Sequence, residues 1–134
     1  MVMQNYKVYT SDVVINNKEE FINICDYASK MLRHEFQDAD NTTWIYQKYN
    51  IFSYTASSTL FYDLYKDLNK CIRDYVGDDR RIWFQAWLNF LKYEDLEKVL
   101  PMHGHEWDLH GYISIDPKNT VTEFVNFEIK NEVG

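Results

Sequence analysis

The chain has 134 residues, enough for one domain with a buried core and too few for a second. Its formal charge of −7 at pH 7 argues against a nucleic-acid partner, because binding to phosphates depends on clustered Lys and Arg side chains. The first residues lack the apolar core of a signal peptide and no apolar run is long enough to cross a bilayer, so we expect a cytoplasmic protein without membrane contact.

The N-terminal half of the chain is predicted to be mainly helical. It begins with β-branched residues over 6–15, which favour one or two short strands. Apolar residues at helical spacing then predict a helix over 18–36, with Asn17 as its N-cap. Residues 44–54 are rich in aromatic side chains and are expected to be extended.

A second helix is predicted between Ser57 or Ser58, either of which can cap its N-terminus, and Gly77, a residue type that commonly ends helices. Apolar residues follow the 3.6-residue period along its length. Cys25 and Cys71 fall on the two predicted helices, far apart in sequence, and this separation predicts free thiols.

The C-terminal part of the chain is predicted to consist of strands. Side chains alternate over 82–91, where one face is apolar and is expected to be core. The other face carries Gln85 and Asn89 between tryptophans, a composition that suits either a cavity wall or an exposed rim. Residues 111–115 and 121–129 are predicted to be further strands.

A tight connection is predicted at residues 116–119, which read Asp-Pro-Lys-Asn. The chain 1–134 thus divides into a helical part, about 17–77, and a β-rich part, about 82–134. Helices early and strands late predict an α+β fold in a single domain.

Residues 101–111 form the densest group of metal-binding side chains. They read Pro-Met-His-Gly-His-Glu-Trp-Asp-Leu-His-Gly and hold three of the four histidines. Imidazoles and carboxylates are ligands of Fe(II), Mn(II) and Zn(II). On an extended chain His103 and His105 point to the same side and can share one metal, unless both are hydrogen-bonded surface residues. The candidates for a third ligand are Asp108, Glu106, His110 or a residue elsewhere in the chain. The first three lie on the opposite face of an extended chain, unless the chain turns between them.

The run over 83–116 resembles the 2-oxoglutarate/Fe(II)-dependent oxygenases of marine phages and bacteria. The resemblance rests on Trp-x-Asn at 87–89, Pro-x-His-x-His at 101–105 and Gly-Tyr-Ile-Ser-Ile at 111–115. It implies a double-stranded β-helix, the jelly-roll or cupin-like barrel of that superfamily, with helices packed before it. It also implies a hydroxylase that uses Fe(II) and 2-oxoglutarate.

On the matching positions the resemblance makes His103 the first iron ligand. His105 stands where the family usually has a carboxylate, and Asp108 is the competing choice for that ligand. Asn89 and Tyr112 are then expected to donate hydrogen bonds to the co-substrate.

The family also has a distant histidine and a basic residue that pairs with 2-oxoglutarate. Neither has a counterpart after His110, where Lys118 and Lys130 are the remaining bases and match no family position. We therefore expect either an oxygenase for an unknown small-molecule substrate or a C-terminally truncated, inactive fragment of one, with an incomplete barrel. One alternative is a non-catalytic protein that forms a homodimer through exposed strand edges. Another is a cupin-like protein that binds Zn or Mn through His103, His105 and His110.

Overall fold

The structure is a computed structural model that describes residues 6–36, 50–89, 104 and 108–134, with the backbone alone for residues 32–36. In these ranges four helices come first and one two-stranded antiparallel sheet follows. The elements are α1 (Asp12–Asn16), α2 (Lys18–Phe36), α3 (Ile51–Tyr54), α4 (Thr59–Val76), β1 (Val121–Glu123) and β2 (Glu128–Lys130). This order is the mixed α and β composition that the sequence predicts, whereas the double-stranded β-helix stays a prediction.

The two long helices lie where the apolar periodicity predicts them. Helix α2 carries acidic residues in its first turn, where their negative charges interact favourably with the positive end of the helix dipole. Helix α4 begins after Ser58, whose Oγ accepts a hydrogen bond from the amide of Phe61 at 3.3 Å. It ends at Gly77, which has a φ of 83°. Neither α2 nor α4 combines the length and the apolar composition needed to cross a bilayer.

Helix α1 corrects the prediction of strands over residues 6–15. The side chain of Ser11 accepts a hydrogen bond from the amide of Val14 and starts the helix. Val14 is fully buried, so packing outweighs the preference of β-branched residues for strands. Asn17 directly precedes α2, as predicted, and its carbonyl accepts a hydrogen bond from the amide of Phe21 at 3.0 Å. It is also the C-cap of α1, and its Nδ2 donates to the carbonyl of Val13 at 2.9 Å, so its side chain bonds α1.

The main core joins the first helices to α4. Its buried members are Val14, Phe21, Phe61 and Leu64, and the ring centroids of Phe21 and Phe61 are 5.2 Å apart. A smaller cluster forms around Ala28 and Ile51. The free thiols of Cys25 and Cys71 agree with the prediction that the cysteines do not pair.

The segment after α4 corrects two further predictions. Residues 51–54 form a helical turn, α3, instead of an extended stretch, and residues 82–88 are irregular instead of a strand. The amide of Ile51 donates to the carbonyl of Ala86 at 3.0 Å, so α3 supplies the backbone partner that a neighbouring strand would supply. Ala86 and Leu88 still pack on the core, as their shared face predicts.

The C-terminal part contains a hairpin where one long strand is predicted. Residues 121–129 reverse direction, so that Val121 pairs with Lys130 and Glu123 pairs with Glu128. The amide of Phe124 donates to the carbonyl of Phe127 at 2.7 Å and closes the turn. Residues 111–115, also predicted to be a strand, form no ladder with another described segment.

The predicted tight connection at 116–119 is confirmed. The amide of Thr120 donates to the carbonyl of Pro117 at 3.0 Å, and the two residues between them, Lys118 and Asn119, have φ values of 48° and 61°. Two consecutive positive φ values are typical of the primed turns that lead into twisted hairpins.

The last residue is bound on both sides by backbone hydrogen bonds. The carbonyl of Gly134 accepts from the amide of Ser11 at 3.1 Å, and its own amide donates to the carbonyl of Ser114 at 2.8 Å. The hydroxyl of Ser11 donates to Asp67 on α4 at 2.8 Å. These bonds join the start of α1, the C-terminal segment and α4 at one point.

Candidate functional site

Of the three predicted metal ligands, only Asp108 lies among the residues that the structure describes. His103 and His105 lie outside the described residues, and Gly104 between them is exposed. Asp108 is exposed, and its carboxylate makes no ion pair or hydrogen bond with another described residue. Among the residues that the structure describes, no three His, Cys, Asp or Glu side chains come together. The three-ligand site therefore stays a prediction, with Asp108 as its described member.

The other predicted site residues are both solvent-accessible. Asn89 is exposed at the end of the irregular segment and interacts with other groups of the chain. Tyr112 is 45 % exposed, and its ring stacks against that of Phe124. His110, two residues before it, is exposed and also makes contacts. Tyr112 is also one of four aromatic rings that stack in a row.

An aromatic ladder of four rings connects the residues after the histidine segment to the hairpin. Its members, in spatial order, are Tyr6, Phe127, Phe124 and Tyr112. The centroids of Tyr6 and Phe127 are 4.5 Å apart with an angle of 10° between the rings, and those of Phe127 and Phe124 are 4.5 Å apart at 9°. Tyr112 lies 6.5 Å from Phe124 at 28°.

The ladder supports the Tyr112 ring on one side. Stacked aromatic pairs contribute about 0.5 to 1.5 kcal/mol each beyond the burial of their surface. The two close and nearly parallel contacts join Tyr6, Phe127 and Phe124, so they hold Phe124 in place, and Tyr112 stacks on Phe124 at the longer distance. A tyrosine held in this way is a preorganised hydrogen-bond donor.

On the face of segment 82–91 that carries Gln85 and Asn89, the described side chains differ in exposure. Trp83 is 80 % exposed, and the guanidinium of Arg81 lies over its ring at 5.0 Å, so this indole does not line a cavity. Gln85 and Trp87 are half-buried and make contacts within the chain. Of the two interpretations of this face, the exposed rim therefore applies at Trp83.

A polar cleft of about 360 Å³ lies beside the start of α2. Three lysines, Lys18, Lys118 and Lys130, line it together with Asp116 and Glu132. The ammonium groups of Lys18 and Lys118 lie 3.1 Å and 3.3 Å from the Asp116 carboxylate. Burial alone would raise the pKa of Asp116, but hydrogen bonds from Lys18 and Lys118 outweigh it and hold the pKa below its ordinary value.

Asp116 therefore neutralises part of the positive charge that the lysines bring to the cleft. An anion that enters it competes with Asp116 for two of the three ammonium groups. Neither Asn89 nor Tyr112 lines this cleft. It is thus separate from the residues that the sequence predicts for co-substrate binding.

Of the two cysteine thiols, Cys25 is the less suited to a nucleophilic role. Burial raises the pKa of Cys25 to about 12. Burial and the charges of Asp67 and Asp74 also raise the pKa of Cys71. Both thiols stay protonated near neutral pH, which agrees with a structural role.

The sequence did not predict the aromatic ladder or the polar cleft. Tyr6 and Phe127 come from opposite ends of the chain, so no local pattern announces their contact. For the cleft a partial signal existed, because Asp116 and Lys118 both fall in the tight connection predicted at 116–119. The contribution of Lys18 depends on how α2 packs and has no counterpart in local sequence.

Comparison of the chain with protein-family models, characterised proteins and solved structures finds no significant match. Function is therefore inferred from the residues of this chain and from the motif resemblance.

Proposed function

We propose that the chain binds Fe(II) through His103, His105 and Asp108 and acts as a 2-oxoglutarate-dependent hydroxylase. The observation that carries this proposal is the run His-Gly-His-Glu-Trp-Asp over residues 103–108. It supplies two imidazoles and one carboxylate, the ligand set of non-haem iron oxygenases that leaves coordination positions open. With 2-oxoglutarate bound, Fe(II) supplies the chemistry for O₂-dependent hydroxylation of a C–H bond.

Two described residues support the proposal. Asp108 is exposed and its carboxylate is not engaged by another described side chain, so it can turn towards a metal without breaking an ion pair. Tyr112 follows four residues later, where the aromatic ladder holds its ring. In this proposal Tyr112 and Asn89 donate hydrogen bonds to 2-oxoglutarate. The free cysteines, Cys25 and Cys71, agree with a cytoplasmic location for this activity.

Metal binding is the first test. Metal-free full-length protein is dialysed against Fe(II) without oxygen, with and without 2-oxoglutarate, and bound iron is measured by elemental analysis. We expect stoichiometric Fe(II), with affinity reduced at least about tenfold in H103A, H105A and D108N. H34A is the matched control, because His34 is the one histidine outside the segment, and it should bind iron normally.

Turnover is the second test. In air, with ascorbate supplying two electrons in place of the unknown substrate, the iron-loaded protein should convert 2-oxoglutarate and O₂ to succinate, CO₂ and water, and H103A should not. Iron binding without decarboxylation would indicate a metal-binding protein that lacks the hydroxylase activity. If H103A binds iron as well as the unaltered protein does, the proposed site is wrong. Preferential binding of Zn or Mn that is lost in H110A but retained in D108N points instead to the cupin-like alternative.

A further inference from the structure

The outer edge of β2 carries unpaired backbone groups in a defined pattern. In an antiparallel pair, residues alternate between positions that exchange hydrogen bonds with the partner strand and positions whose amide and carbonyl point away. The bonds from Asn131 to Thr120 and from Phe124 to Phe127 fix this alternation along the hairpin. The backbone amide and carbonyl of Ile129 therefore face β1, while those of Glu128 and Lys130 point outwards. In the described part of the chain no other strand pairs with this edge.

The side chains of β2 are complementary to a second copy of the same strand. Its three residues are Glu128, Ile129 and Lys130. If two copies pair antiparallel about a twofold axis at Ile129, each Glu128 lies opposite Lys130 of the partner subunit. Opposite charges that face each other across strands are attractive, and the two Ile129 side chains meet at the centre.

The backbone groups fit the same arrangement. The twofold axis makes each pair of Glu128 and the partner's Lys130 a hydrogen-bonded pair, which exchanges both of its possible bonds. Every outward amide and carbonyl of the two residues is then satisfied. The other edge of the sheet lacks this property, because the same operation on β1 places Val121 opposite a charged Glu123.

The charges on β2 also limit which strands can pair with it. Charged side chains on an edge strand normally oppose indiscriminate pairing, since a partner without matching charges leaves them uncompensated. A second copy supplies the matching charges at both positions. The formal charge of −7 disfavours general self-association, so pairing depends on this local match.

We propose that two copies of the chain associate through β2 and form a continuous four-stranded antiparallel sheet. The strand has three residues, so the dimer is weak and depends on protein concentration. It does not require metal, so this proposal stands or falls independently of iron binding.

A charge-swap experiment tests the proposal. Sedimentation velocity over a series of concentrations up to about millimolar, at low salt, measures association of the full chain. The unaltered protein should dimerise as its concentration rises. E128K and K130E each place like charges opposite one another and should weaken association by about tenfold or more. The double variant E128K/K130E restores opposite pairing and should recover the dimer.

E123K is the matched control. It changes the net charge as much as E128K does, and each change replaces the Glu123–Glu128 pair within the hairpin by an opposite-charge pair. Unlike E128K, it lies on β1 and should leave the β2 dimer intact. Near-ultraviolet circular dichroism of the aromatic ladder verifies that each hairpin is folded. A monomer at every concentration overturns the proposal, as does failure of the double variant to recover association or equal loss of the dimer in E123K.

Discussion

Replacing Gly134 by alanine should destabilise the fold more than replacing Gly77 by alanine, although the two glycines have nearly the same backbone conformation. Their φ values are 79° and 83°, in the left-handed region that costs an alanine about 1 to 2 kcal/mol. A Cβ at Gly77 would meet no atom within 4 Å. A Cβ at Gly134 would lie 2.8 Å from both the carbonyl oxygen of Ser11 and Cγ1 of Ile15.

The difference between the two variants follows from the bonds at Gly134. Because a backbone oxygen is one of the clashing atoms, the last residue has to move away from α1. It then loses the hydrogen bonds to Ser11 and Ser114, worth about 1 kcal/mol each. We expect G77A to cost about 1 to 2 kcal/mol through backbone strain. A detached residue 134 escapes that strain, so G134A should cost about 2 kcal/mol through the two lost hydrogen bonds, together with whatever packing of Val133 on the core is lost.

Urea unfolding followed by circular dichroism measures both free energies. The effect of alanine on the unfolded chain is common to the two variants and cancels in the comparison. Equal losses would show that the Cβ at position 134 is accommodated without detachment. A larger loss for G77A would refute the assignment of the bonds that hold the last residue.

Other predictions concern charge and thiols. Folding lowers the pKa of Asp116, so its carboxylate stabilises the fold at pH values above the ordinary pKa of 3.8, and this stabilisation is lost as pH falls through the folded pKa. In D116N the free energy of unfolding, measured by urea titrations in acid, should therefore depend less on pH. Cys71 should react with a thiol reagent before Cys25, and mass spectrometry of the labelled peptides would contradict this if the order were reversed. E123Q should stabilise the hairpin by about 0.2 to 1 kcal/mol by removing repulsion from Glu128, and calorimetry that shows no gain would argue against this pairing.

The long helices were predictable because local and tertiary signals agree there. In α4 the apolar period, the cap at Ser58 and the terminator at Gly77 all indicate the same boundaries. In α1 they conflict, since Val13 and Val14 favour a strand while Ser11 is a good helix cap. Burial of Val14 decides the outcome, and sequence alone gives no measure of it.

The hairpin was missed because its turn contains neither glycine nor proline. Alternation continues through Phe124 and Phe127, so the pattern is the same whether the chain proceeds or reverses. The candidate site was predictable as a set of metal-binding residue types, since His103, His105 and Asp108 are close in sequence. The support behind Tyr112 was not, because it depends on rings brought together from distant segments.

The hydrogen bond between Ser11 and Gly134 gives this small protein a contact that spans nearly the whole chain. During synthesis the amide of Ser11 therefore stays without its native partner until residue 134 has left the ribosome. Helix α1 has five residues and cannot hold its shape alone for that interval. Until then α1 depends on Val14 packing against α2 and α4, and the hydrogen bond between Ser11 and Gly134 is expected to be among the last native contacts to form on the ribosome.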